Sequence, residues 1–133
     1  MRRSCLGYLA AILFSTGSGA VAQDVMTEVY HLGEFEVRVL LHSFLTEEEM
    51  TTLRAVGQSQ EALGLFVSEG PGYAALAVAP DEGFMRNGLP VESAIALSGL
   101  DTLSEARRAA NAACNSARTS SAACVTVLAI SPR

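Results

Sequence analysis

Two cysteines near the end of this 133-residue chain constrain its fold more than any other feature. Cys114 closes "ARRAANAAC" (106–114), where small apolar residues recur at helical spacing, and Cys124 heads the β-branched run "CVTVLAI" (124–130). A helix and the strand after it therefore carry one thiol each. Joining them would close a loop of roughly 11 residues, worth about 3 kcal/mol on the chain-entropy account. That is a large share of the net stability of a small domain. A redox pair more often takes the form C-x-x-C at a helix start, where the dipole lowers the thiol pKa; Cys114 lies toward the far end of its helix. Zinc would require two further ligands, for which His31 and His42 are the only imidazoles in the chain. A structural disulfide is the expected state.

That expectation needs an oxidising compartment, and the N-terminus supplies the route to one. Arg2 and Arg3 precede an apolar stretch from Leu6 to Phe14, and Ala20-Val21-Ala22 forms an A-x-A cleavage site before Gln23. Residues 1–22 thus read as a secretory signal peptide cut between Ala22 and Gln23. Cys5 precedes the apolar stretch instead of following it, which argues against a lipid-anchored protein. The span is also marginal for a bilayer, being interrupted by Ser15, Gly17, Ser18 and Gly19.

Residues 23–133 are then one small domain, carrying seven arginines against 14 acids. Such an acidic balance argues against nucleic acid and anionic membrane as partners, since both need a basic footprint, and neither is expected. No later stretch is apolar for long enough to cross a membrane, so a periplasmic or secreted, soluble mature form is expected. The chain contains no lysine. Internal-aldimine chemistry with pyridoxal phosphate is therefore ruled out, and neither a cofactor nor a metal is expected.

Along the mature chain, "EFEVRVLLHSF" (34–44) alternates apolar and polar residues and predicts a half-buried strand. Thr46 and Glu49 then spell a capping box, Leu45 and Met50 a hydrophobic staple, and Gly57 a helix stop. "LGLFVS" (63–68) and "YAALAVA" (73–79) flank Glu69-Gly70-Pro71-Gly72 and predict a hairpin. Residues 80–101 form a long connection in which "SAIALS" is read as a short edge strand. The last helix starts at Thr102 with Glu105 three residues on, and Leu103, Ala106, Ala110, Ala113, Cys114 and Ala117 make a narrow stripe. The predicted order is β-α-β-β-α-β, an α+β domain of ferredoxin-like or related type with an antiparallel sheet, two helices and one disulfide.

Few residues suggest chemistry. Glu47, Glu48 and Glu49 sit in a first helical turn, where the helix dipole favours carboxylates. His42 falls on the polar side of its strand with Glu36 and Arg38, as a solvated histidine or as a base. "PDEGFMRNG" (80–88) sets Asp81, Glu82 and Arg86 on an exposed loop with Phe84 and Met85, read as a candidate binding loop or as a type I turn at 80–83 followed by a lid over the sheet edge. The serines lie in no nucleophile-elbow context, and no glycine-rich phosphate loop is present.

Taken together, "GYAALAVAPDEG" (72–83), "ARRAANAAC" (106–114), "SAACVTVLAI" (121–130), "LTEEEM" (45–50) and "QSQ" (58–60) resemble a family of small periplasmic alphaproteobacterial proteins of unknown function. Some of its members are labelled 5-aminolevulinic acid synthase. The chain is similar, more weakly, to an uncharacterised secreted family with an A-x-x-A…C…C core. The resemblance covers residues 45–130 and its motifs are structural. True aminolevulinate synthases resemble large pyridoxal-phosphate enzymes, and this chain has neither the lysine nor the length.

The function expected from these readings is a non-enzymatic binding module that takes a protein or small-molecule partner through residues 80–101. The alternatives are a small envelope enzyme or hydrolase using His42 with Glu36 or Arg38, and an inhibitor of an envelope enzyme.

Overall fold

The computed structural model describes residues 25–66 and 72–132. The proposed signal peptide and its Ala22–Gln23 cleavage site lie outside the described residues. The alternating segment forms β2 (Phe35–Leu41), which buries Val37, Val39 and Leu41 on one face. A further strand precedes it. β1 (Met26–Leu32) pairs antiparallel with β2 from Met26↔Leu41 to Leu32↔Phe35. Its sequence, "MTEVYHL", mixes polar and apolar side chains on both faces, so alternation gives no signal. Gly33, at φ +60, and Glu34 close this hairpin in two residues. A glycine in the left-handed region at the first central position is the type II′ geometry that matches strand twist.

Thr46 caps α1 (Glu47–Gln58) with both bonds of the capping box made. Gly57 does not stop the helix: it lies inside α1, whose C-cap is Ser59. Its role is spatial, because a Cβ there would meet Tyr30 Cδ2 at 2.5 Å. The described part of the expected hairpin's first arm, residues 63–66, is helical. Ser59 caps α2 (Gln60–Phe66) by accepting from the Ala62 N–H, and a short apolar run such as "LGLF" has no period that separates strand from buried helix. Most of the expected turn at 69–72 lies outside the described residues.

β3 (Tyr73–Val78) pairs instead with two distant strands, β6 (Ile95–Leu100) and β7 (Val125–Pro132). Between them lie the two-residue strands β4 (Met85–Arg86) and β5 (Leu89–Pro90), and α3 (Leu103–Ala117). The main sheet runs β1-β2-β7-β3-β6 with every neighbouring pair antiparallel. β2, α1 with α2, β3, β6, α3 and β7 keep the β-α-β-β-α-β order, and β1 is added at one edge. The fold is a small α+β domain.

Helices cover opposite faces of the sheet. Ala74, Leu76 and Val78 of β3 join Leu53, Val56, Leu63, Leu128 and Ile130 under α1 and α2. Ala75, Ala77 and Ala79 face the other way, onto Ala106, Ala110 and Cys114 of α3. Small residues on both sides let α3 lie close to the strand. The pairing slips between Leu76↔Leu128 and Ala77↔Thr126, leaving Val127 as the extra residue of a bulge, so Val127 and Leu128 both reach the α1 side. Cys114 and Cys124 form the disulfide, with S–S 2.04 Å and Cα–Cα 6.1 Å.

Candidate functional site

The connection after β3 begins with a turn in which Ala79 C=O accepts from the N–H groups of Glu82 and Gly83. Two carboxylates then hold it from opposite ends. Glu49, at 0% exposure, reaches across from the first turn of α1. Its Oε2 accepts from the backbone N–H of Phe84 at 2.7 Å and of Met85 at 3.0 Å, while Oε1 accepts from Thr46 N–H at 3.0 Å and Arg86 Nη1 at 3.1 Å. Burial pushes this carboxyl up, but the three backbone donors and the Arg86 guanidinium outweigh it and hold the pKa below the ordinary value. Gly83, at φ +72, is required here, since a Cβ would lie 2.5 Å from Glu49 Oε2.

Glu82 works outward. Its carboxylate accepts from the Ser120 hydroxyl and N–H, the Thr119 N–H and the Ser93 hydroxyl. The Ser120 hydroxyl leads in lowering the carboxyl pKa to about 2. The candidate binding loop is thereby locked to α1 and to the α3–β7 link. Phe84, expected to be exposed, is only 4% accessible and packs edge-on against Phe66 with ring centroids 6.5 Å apart. Met85 is half-buried against the same core and Asp81 is exposed. Asn87 and Gly88, both at positive φ, turn β4 into β5. This Asn-Gly pair is the strongest short-range hairpin signal a sequence offers. The large exposed apolar residue of the segment is Leu89.

His42 is engaged by the scaffold. Its Nε2 lies 2.9 Å from Thr126 O, and its ring stacks on Phe44 at 5.3 Å. Arg38 turns to Glu36 at 3.3 Å, so the polar trio proposed from sequence is not gathered around the imidazole. His31 is exposed on β1, in register with Glu36.

Where β1 begins and β2 ends, α1 leaves a groove of about 390 Å³, lined by Met26, Leu41, His42, Leu45, Met50 and Arg54 among others. Most of its wall is apolar. Arg54 is fixed by a two-pronged pair with Glu28, at 3.0 and 3.1 Å, and Tyr30 donates its hydroxyl to Glu28 at 2.6 Å. The Arg54 guanidinium, followed by the Tyr30 hydroxyl, holds the Glu28 carboxyl low, and Glu28 in turn pushes the Tyr30 hydroxyl up. Composition gave no signal for this groove, whose walls come from three separate elements.

Among the described residues, no group of three or more His, Cys, Asp or Glu side chains is arranged to hold a metal ion. No helix among them is long and apolar enough to cross a membrane. Comparison with protein-family models, curated proteins and solved structures finds no match.

Proposed function

We propose that the chain is an exported, disulfide-fastened binding module whose site is the groove between β1, β2 and α1. The observation that carries this reading is the contrast between the carboxylates and the groove. Glu49 and Glu82 are saturated by donors of the scaffold, and both mature cysteines are spent on the disulfide. The groove is walled by Met26 and Met50, with the buried Leu41 and Leu45 behind them and the scaffold-held Arg54 and His42 at its side. An apolar wall with a few convergent polar groups suits ligand binding more than catalysis. Met26 and Met50 add side chains that adapt to irregular shapes. A small, mainly apolar ligand with one hydrogen-bond acceptor for the Arg54 N–H groups that Glu28 leaves unused matches this chemistry.

The test is a fluorescence titration of the disulfide-intact protein with 8-anilinonaphthalene-1-sulfonate, a two-ring apolar probe bearing one sulfonate. Saturable binding that weakens tenfold or more in Met50→Glu is expected, with circular dichroism confirming that the variant is folded. Binding unchanged within twofold would refute the site. Export is tested separately: protein from the native envelope should begin at Gln23 and show no free thiol. The synthase label of the resembling family is not adopted, because lysine is absent from the chain. Purified protein given glycine, succinyl-CoA and pyridoxal phosphate should form no aminolevulinate above background.

A further inference from the structure

Among the described residues, the β1 edge of the sheet is open. None of their strands pairs with the second side of β1, whereas β2 occupies the first. Natural edge strands are usually blunted by lysine, proline, a bulge or extreme shortness. β1 lacks those four: it is seven residues long and regularly paired throughout. Its one inward-pointing charge, Glu28, is neutralised within the chain by Arg54 and so does not repel a partner strand. It also exposes Met26 at 64% and Val29 at 47%.

The hairpin decides which backbone groups face outward. Leu32 and Phe35 close a two-residue turn and form a hydrogen-bonded pair. Counting back by alternation, Leu32, Tyr30, Glu28 and Met26 bond to β2, while the N–H and C=O groups of Thr27, Val29 and His31 point to the free edge. The side chains of these three residues lie on the face away from α1, and α3 packs over β3, β6 and β7 at the far end of the sheet. On that face, none of the described helices packs over β1.

We infer that β1 is a self-pairing edge, and that a second copy of the chain joins it antiparallel about a two-fold axis at Val29. That register overlaps all seven residues of β1 and is self-complementary. Val29 meets Val29 of the second copy, Thr27 meets His31, Glu28 meets Tyr30, and Met26 meets Leu32. No like charges stand opposite one another. Moving the axis to residue 28 would oppose Glu28 to Glu28, and moving it to residue 30 would leave Met26 and Thr27 unpaired. Like charges directly opposite destabilise a strand pair, so the Val29 register is selected. Each outward N–H of Thr27, Val29 and His31 finds a carbonyl, and two five-stranded sheets become one of ten strands. An isologous contact of this kind closes on itself and yields a dimer, not a fibre.

Analytical ultracentrifugation across a concentration series tests the inference. The disulfide-intact protein should move from monomer toward dimer as concentration rises. Val29→Arg and Val29→Glu should each weaken dimerisation at least tenfold, because each places like charges across the axis. An equimolar mixture of the two should restore the dimer through an Arg–Glu pair. Hydrogen exchange on the unaltered protein gives a second readout: the amides of Thr27, Val29 and His31 should gain protection as concentration rises, and those of β6 should not. A monomer at all concentrations up to about 1 mM would overturn the inference. So would a dimer indifferent to Val29→Arg, a mixture of the two variants that stays monomeric, or an edge that takes only an extended peptide from another protein. Met26 belongs both to the seam and to the groove wall, so the naphthalenesulfonate titration is run at concentrations where the protein is monomeric. Val29 faces away from the groove, and the two readings then fail independently.

Discussion

Replacing Glu49 tests whether one buried carboxylate organises the connection between β3 and β6. Glu49→Ala removes an acceptor fully enclosed by protein and leaves the Phe84 and Met85 N–H groups without a partner. Each buried donor stranded in this way costs about 1–3 kcal/mol. Thr46 is exposed and recovers its bond from water, so two orphans and the released Arg86 remain. Arg86 is 37% exposed and is re-solvated when released, and Met85 is half-buried, so the stranded amides dominate and Glu49→Ala should cost about 2–4 kcal/mol. Against a net stability of about 5–15 kcal/mol this is a major loss. Glu49→Gln keeps the shape but has one acceptor oxygen. Its amide nitrogen must then face either the Phe84 and Met85 donors or Thr46 and Arg86, for a loss of about 2–3 kcal/mol.

The neighbouring glutamates provide the control. Glu47 and Glu48 are exposed in the same helical turn and interact with the helix dipole alone, worth about 0.3–1 kcal/mol each. Urea unfolding followed by circular dichroism measures all four variants, and hydrogen exchange reports the Phe84 and Met85 amides directly. If Glu49→Ala falls within about 1 kcal/mol of Glu48→Ala at equal m-value, the anchoring argument is wrong and the dipole suffices.

Acid should undo the same connection. Glu49 and Glu82 are held below the ordinary glutamate value of 4.5, Glu82 at about 2, so their stabilisation is complete above the unfolded value and is lost as pH falls through the folded one. The urea midpoint should be flat from neutrality to roughly pH 5 and should have dropped clearly by about pH 3; a constant midpoint down to that pH would contradict the assignment. Gly57→Ala should destabilise by about 1–2 kcal/mol despite the better helix propensity of alanine, because its Cβ meets the Tyr30 ring. In a Tyr30→Ala background the sign should reverse, which a double-mutant cycle measures. Cys114→Ser with Cys124→Ser should lower stability by about 3 kcal/mol, read by denaturation with and without reductant.

What could be read in the sequence was local. Thr46 and Thr102 announce their helices, because each accepts from the N–H of a glutamate three residues on; Glu49 also returns a bond to Thr46, whereas at Thr102 only this one bond of the box is made. β2 was legible through clean alternation, and β3 through small apolar residues on both faces. β1 was hidden because Glu28 and Tyr30 share its inner face, where Arg54 of α1 makes the carboxylate acceptable. Nothing local distinguishes "LGLF" as helix from strand. Glu49 shows the limit most plainly: its capping role lies within three residues, but its partners Phe84, Met85 and Arg86 lie 35 to 37 residues away. The Asn87-Gly88 turn was available and decides a hairpin of only two residues per arm. The groove beside Arg54 depends on three elements meeting, which no spacing encodes.

The two faces of the sheet are built from unequal materials, and the disulfide belongs to the weaker one. Under α1 and α2 lie leucine, valine, isoleucine and phenylalanine side chains. Under α3 the buried apolar residues are alanines and the two cysteines, with larger side chains only partly enclosed beside them, and buried Thr126 donates to Asn111 of the helix. Apolar burial stabilises by about 25 cal/mol per Å², so an alanine layer contributes much less than a leucine layer of equal footprint. Close approach compensates through dispersion only while α3 is held in contact. The Cys114–Cys124 bond supplies that constraint where α3 gives way to β7, and Asn115 accepts the Cys124 N–H at 2.8 Å beside it. Reduction should therefore loosen the molecule unevenly. Amides of α3 should exchange markedly faster after reduction, while those of α1 and β2 keep most of their protection. Uniform loss of protection across both faces would mean that the sheet transmits the constraint as a single unit, and that the alanine layer does not depend on its tether.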